Sequence, residues 1–232
     1  MSAPTPAPRA PARAPIPVDE RLRVIEVYTS LQGESTHVGR PCVFVRLAGC
    51  NLRCTWCDST FTFTGGVHRS VDDVLAEVEA AGVRLVEITG GEPLVHRQVV
   101  PLMERLLARG YEVLLETSGS RDISVVPDGV RVILDLKPPD SGEVRANLWS
   151  NLEHLDAADE VKFVLASRRD YEWARDVLVR TRLDTRCTVL MGVAHGLLAP
   201  RDLAGWILED RLPVRFQLQL HKVVWEPDAR GV

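Results

Sequence analysis

The chain has 232 residues, 45% of them hydrophobic and 26% charged, the balance of a globular protein rather than a disordered one. No run approaches the ~18 consecutive apolar residues of a membrane span. Lysine and arginine number 28 against 32 acids, a formal charge of -4, which argues against binding nucleic acid chiefly through its phosphates.

Residues 1–18 contain six prolines and no apolar h-region, so they are not a secretory signal. The prolines also oppose the amphipathic helix of a transit peptide. This stretch reads as a disordered Pro/Ala-rich extension, with one folded domain over 19–232. Beyond it, short apolar runs alternate with helical patterns. Strands are expected at 24–28, 42–48, 84–89, 112–117, 131–136, 160–165, 187–193 and 214–220. Several are near-continuous in Val, Ile and Leu, as suits parallel strands buried on both faces. Val71, Val74, Leu75 and Val78 recur on one helical face between an N-cap at Ser70 and a stop at Gly82. Val99, Leu102, Met103, Leu106 and Leu107 do the same before Gly110, and further helices cover 169–182 and 201–210. The alternation implies an α/β fold with a largely parallel sheet, whose ligand sites lie at the carboxyl ends of the strands.

The five cysteines are Cys42, Cys50, Cys54, Cys57 and Cys187. An odd, clustered set does not describe a disulfide scaffold and points to a reducing compartment. Strand 42–48 runs into GCNLRCTWCDS, which places Cys50, Cys54 and Cys57 on one loop. Three thiolates at this spacing suit three irons of a cubane cluster and leave a fourth iron open for chemistry. A structural zinc site is the plainer alternative, but it wants four ligands. Cys187 is alone, and His37 and His68 lack partners at zinc-finger spacing. Strand 84–89 then enters TGGEPL (89–94). There, glycines allow close backbone approach to a ligand, and Glu92 and exposed carbonyls can accept bonds from an ammonium group.

The CxxxCxxC spacing with Trp56 before the third cysteine, together with GGEP one β/α unit later, resembles the radical S-adenosylmethionine (SAM) enzymes. The surrounding LQGE…G.P..F.RL.GCN..C.WCD pattern resembles the 7-carboxy-7-deazaguanine synthase family of queuosine and 7-deazapurine biosynthesis. So do ETSG, DLKPP, QLQLHK and WEPDARGV, and the likeness runs from residue 22 to the C-terminus. It implies a partial, open (β/α)6 barrel with trimmed helices, the strands at 24–28 and 214–220 adding to its rim. The implied activity is a lyase that converts 6-carboxy-5,6,7,8-tetrahydropterin to 7-carboxy-7-deazaguanine with loss of ammonia. A 5′-deoxyadenosyl radical, made by one-electron cleavage of SAM, abstracts hydrogen from C6, and SAM is regenerated. The implied cofactors are a [4Fe–4S] cluster, SAM and Mg²⁺. An electron donor such as a flavodoxin or ferredoxin, a homodimer and a cytoplasmic setting are also implied, with no direct contact to nucleic acid or membrane.

Carried over residue by residue, the resemblance assigns the cluster to Cys50, Cys54 and Cys57. It assigns substrate binding to Leu31, Gln32, Gly33, Glu34, Arg46, Thr89 and His221. SAM falls to Trp56, Cys57, Asp58, Gly91, Glu92, Ser118, Asp135 and Lys137, and Mg²⁺ to Ser59. No residue stands out as catalytic; Glu116 and His221 are the candidates. For some of these positions the residues alone leave alternatives. Gln32 and Glu34 also fit an exposed loop, and Ser59 a helix cap. Arg46, charged in the middle of an apolar strand, needs either a substrate carboxylate or a protein acid. Two other functions remain at this level: a small radical activase that makes a glycyl radical on a protein partner, and a metal-binding RNA module.

Overall fold

The computed structural model describes residues 21–232; the N-terminal extension and the expected domain start at residue 19 lie outside them. Nine strands form one sheet: β1 (Arg21–Leu31), β2 (Pro41–Leu47), β3 (Val67–Ser70), β4 (Leu85–Gly90), β5 (Glu112–Thr117), β6 (Arg131–Asp135), β7 (Glu160–Leu165), β8 (Thr188–Val193) and β9 (Arg215–Phe216). Their order is β3-β1-β2-β4-β5-β6-β7-β8-β9, and the sheet does not close on itself. The six strands β2, β4, β5, β6, β7 and β8 are parallel in succession, as expected of a partial barrel.

The rim departs from expectation. β1 runs antiparallel to both β2 and β3. β3, the sequence VHRS, has one apolar residue and no alternation to announce it. The run 214–220 keeps only two paired residues, Arg215 and Phe216, beside β8. The chain then crosses the open end, where Leu220 N–H donates to the Gly33 carbonyl at 2.8 Å, and forms the short helix α5 (His221–Val224).

Four longer helices cover the outside: α1 (Val71–Ala81), α2 (Val99–Ala108), α3 (Arg168–Thr181) and α4 (Pro200–Asp210). α1 has the predicted ends, a reciprocal Ser70–Asp73 capping box and a left-handed Gly82. Its apolar stripe and that of α2 pack on β1, β2, β4 and β5, while α3 and α4 cover β7 and β8. Only irregular and 3₁₀ segments join β5 to β6 and β6 to β7, and their Ile123, Leu152 and Leu155 cover the outer face there in place of helices. The inner face has an apolar floor of Cys42, Phe44, Leu85, Leu114 and Ile133. Residues two further along each strand point the same way, so Arg46, Glu87, Glu116 and Asp135 form a polar layer above it, at the carboxyl end.

Candidate active site

The loop after β2 is fastened before any ligand is considered. Gly49 N–H donates to Thr62 O at 2.6 Å, Thr55 N–H to Ser141 O at 2.9 Å, and Cys57 N–H to Cys54 O at 3.2 Å. The glycines of TGGEPL pack against this same loop: Gly91 N–H donates to Leu47 O and Glu92 N–H to Gly49 O. A side chain at Gly91 would collide with the Gly49 backbone, and Gly90 adopts φ 145°, so both positions require glycine. The close approach these glycines permit is first of all to the cysteine loop.

Cys50, Cys54 and Cys57 are half-buried free thiols on one wall of a cavity of about 570 Å³. Among the described residues no trio of Cys, His, Asp or Glu side chains converges on a point the size of a single ion. A cluster makes no such demand, because each thiolate takes a different iron. Burial pushes the free Cys54 thiol up to about 11 and raises Cys50 as well, so iron binding there must release protons. Cys42 lies in the apolar floor and Cys187 in the outer core, away from the loop.

Every predicted site residue except Glu92 lines that cavity. Glu92 is a correction. It is fully buried, and its carboxylate accepts four bonds from the protein. Leu94 N–H (3.0 Å) and the Thr117 hydroxyl (2.8 Å) reach Oε1, while Ser118 N–H (2.8 Å) and the Ser118 hydroxyl (2.6 Å) reach Oε2. These occupy its acceptor sites, so it braces the turns after β4 and β5 instead of meeting a ligand's ammonium group. The Ser118 hydroxyl is shared between Glu92 and Ser120.

The remaining predicted residues split by what already holds them. Arg46 pairs with the Glu26 carboxylate at 2.9 Å and donates to the Tyr28 hydroxyl at 2.8 Å. The protein acid allowed for Arg46 is thus present, yet the Nη1 amino group stays uncommitted on a residue that lines the cavity. Asp58 accepts from Lys222 Nζ at 2.9 Å, which ties the cysteine loop to α5. His221 packs on Gly33, where a side chain would strike its ring. Burial lowers its imidazole, with Glu34 opposing. Ser59 precedes the 3₁₀ turn Thr60–Thr62 without capping it, and its hydroxyl lies 3.8 Å from Cys57 Sγ. Lys137 Nζ donates to Asp135 Oδ2 at 2.8 Å. The other oxygen of Asp135, Oδ1, is buried with no hydrogen-bond partner. An orphaned carboxylate oxygen on a residue that lines the cavity fits a ligand that brings hydroxyl or amine donors, as SAM would.

Sequence reasoning missed Glu87 and Lys162, which also line the cavity. The signal was the one that exposed Arg46: a charged residue inside an apolar parallel strand, in LVEIT and EVKFVL. It also missed Glu26 and Tyr28, the partners of Arg46; the C-terminal segment, which the resemblance sets with His221 as a lid over the pterin, lines the cavity through Glu226–Val232.

Comparison with known proteins agrees with this geometry. The Radical SAM superfamily model matches residues 44–141. A 7-carboxy-7-deazaguanine synthase of Koribacter versatilis is 47% identical, over 91% of this chain and all of its own length. The chain belongs to the 7-carboxy-7-deazaguanine synthase family. The synthase of Chlorobaculum tepidum is 42% identical over 91% of this chain and 97% of its own. The crystal structure of QueE from Escherichia coli superposes with a TM-score of 0.71 at 25% identity, covering 87% of this chain and 95% of that one. Membership of this family, with its open barrel, favours the synthase reading over the activase and the RNA module.

Proposed function

We propose that the protein converts 6-carboxy-5,6,7,8-tetrahydropterin to 7-carboxy-7-deazaguanine with loss of ammonia. The observation that carries this reading is the shared cavity. The three thiols of the cysteine loop and the residues assigned to a pterin face one space of about 570 Å³, within the usual size of small-molecule sites.

When bound, the cluster and SAM supply a 5′-deoxyadenosyl radical. The chain holds and orients the two organic ligands. Cys50, Cys54 and Cys57 would hold the cluster. Trp56, Gly91, Ser118, Asp135 and Lys137 border the SAM side, where Asp135 Oδ1 offers an unused acceptor and Lys137 a cation. Burial opposes the Lys137 charge, but Asp135 and Cys54 outweigh it and raise its pKa, so it stays an ammonium. On the other side, Gln32, Glu34 and the backbone of Leu31 and Gly33 would read the donor–acceptor edge of the pterin. Arg46 Nη1 would take its carboxylate, while Thr89 and His221 border the ring. Glu116 is the carboxylate best placed to move a proton. Ser59, whose hydroxyl is not used in a cap, would give Mg²⁺ one protein oxygen, the rest coming from water and substrate. α5 and the C-terminal residues exclude water from above.

A flavodoxin- or ferredoxin-type donor, a homodimer and the cytoplasm, where thiols stay reduced, complete the proposal. Its test is anaerobic turnover of the reconstituted enzyme with reductant, SAM, Mg²⁺ and the pterin, followed by mass spectrometry. A product lighter than the pterin by ammonia supports the assignment. Formation of 5′-deoxyadenosine with the pterin untouched overturns the substrate and leaves the radical chemistry.

A further inference from the structure

Glu87 and Lys162 belong to a circuit of polar contacts beneath the proposed pterin contacts. Gln32 Nε2 donates to Glu87 Oε2, and Glu34 N–H donates to Gln32 Oε1. Lys162 Nζ bonds Glu34 Oε2 at 2.7 Å and also Glu116 Oε1. Glu87 on β4 and Glu116 on the neighbouring β5 point to the same face, so their carboxyl groups are neighbours across the two strands and complete the circuit. Four elements meet here: the loop after β1, β4, β5 and β7. Glu87 and Lys162 are almost wholly buried, at 1% and 3% exposure.

Two neighbouring carboxyl groups can hydrogen-bond to each other only if one of them keeps its proton. The cation at hand, Lys162, bonds Glu34 and Glu116 and lies 4.0 Å from Asp135, so Glu87 has no counter-charge of its own. Burial accordingly drives the Glu87 carboxyl well above the usual range, and the charge of Glu116 adds to this. Tyr28 and Cys42, which also feel Glu87, bring no positive charge. Glu116 is only partly buried, and the charge of Lys162 outweighs its desolvation and keeps it ionised.

Resting on the proposed pterin reading of Gln32, Glu34 and Glu116, we infer that Glu87 and Lys162 are positioning residues for substrate. Glu87, as a neutral acid, accepts from Gln32 and donates to Glu116, while Lys162 fixes Glu34 and Glu116 as carboxylates. This fixes which edge of the Gln32 amide meets the substrate. It also holds the Glu116 carboxylate, which Thr89 bonds loosely at 3.4 Å, in the cavity wall.

The test uses the reconstituted enzyme with Glu87→Gln, Glu87→Ala and Glu87→Met. An amide can accept from Gln32 and donate to Glu116, so Glu87→Gln keeps pterin KM and kcat within about threefold of wild type. Glu87→Ala, and Glu87→Met which refills the space, raise pterin KM about tenfold or more, as expected when a desolvated hydrogen bond is lost. SAM binding, measured without pterin, stays unchanged in all three. Infrared spectroscopy of the wild type shows a protonated-carboxyl stretch at neutral pH that is missing in Glu87→Gln. A Glu87→Gln enzyme as impaired as Glu87→Ala, unchanged pterin KM in the Ala and Met variants, or absence of the protonated-carboxyl band overturns the inference. A wild type that shows the band but ignores the pterin instead overturns the substrate reading and, with it, the positioning role.

Discussion

Glu92 separates a brace from a ligand contact, and replacing it with Gln puts the difference on a scale. Each carboxylate oxygen of Glu92 receives one backbone N–H and one hydroxyl: Leu94 and Thr117 on one side, Ser118 twice on the other. Whichever way an amide is turned, its NH₂ faces two donors. The hydroxyl can rotate to accept; the backbone N–H cannot. An unsatisfied buried donor costs about 1–3 kcal/mol, and the bonds that remain lose their charged acceptor, so the loss should be about 2–4 kcal/mol. For a chain of this size each kcal/mol moves the melting temperature by about 2–4 °C, so Glu92→Gln should melt about 4–16 °C lower. Anaerobic thermal unfolding of the reconstituted protein, alongside SAM titration, measures both quantities. The reasoning fails if Glu92→Gln melts with the wild type yet binds SAM more than about tenfold more weakly, because the carboxylate would then be serving the ligand.

Alanine at any of Cys50, Cys54 or Cys57 should abolish reductive SAM cleavage, read as 5′-deoxyadenosine; full activity in Cys54→Ala would remove the cluster assignment. Ser59→Ala should leave the melting temperature unchanged, since the hydroxyl makes no cap bond, and raise the half-saturating Mg²⁺ concentration about tenfold; an unchanged Mg²⁺ requirement would exclude Ser59 as a ligand. Away from the site, burial lowers the His37 pKa, Glu112 opposing it and Arg40 and Arg131 adding to it. A folded-state pKa below the unfolded one gives stability that is complete above about 6.5 and is lost as pH falls further. His37→Gln should therefore flatten the fall in urea midpoint between about pH 7 and about pH 5, and parallel slopes in the two proteins would contradict this.

Much of the architecture was legible because local and tertiary demands agree. The Val-, Ile- and Leu-rich runs became the parallel strands, and Ser70 and Gly82 ended α1 as their chemistry requires. The rim was less legible. VHRS forms β3 through backbone pairing with β1, which leaves no hydrophobic pattern to read. VRFQLQL looks like a strand, but Gly33 captures the backbone of Leu220 and turns the chain across the cavity. The motifs brought nearly all the expected residues to one space, because residues at the carboxyl ends of parallel strands share a mouth. Glu92 misled for a physical reason: a carboxylate beside a glycine turn is as able to bind backbone N–H groups as a ligand's ammonium group. Glu87 and Lys162 were missed although a buried charge in an apolar strand always requires a partner. That partner sits on other strands, and only the register between them reveals it.

The central claim is that the cavity brings the pterin C6 within reach of a radical generated beside the cysteine loop. Turnover of pterin carrying deuterium at C6, with the recovered SAM and 5′-deoxyadenosine analysed by mass spectrometry, tests it most directly. The account predicts deuterium in SAM as the 7-deazapurine accumulates. Product formed with no deuterium in either adenosyl compound would contradict it.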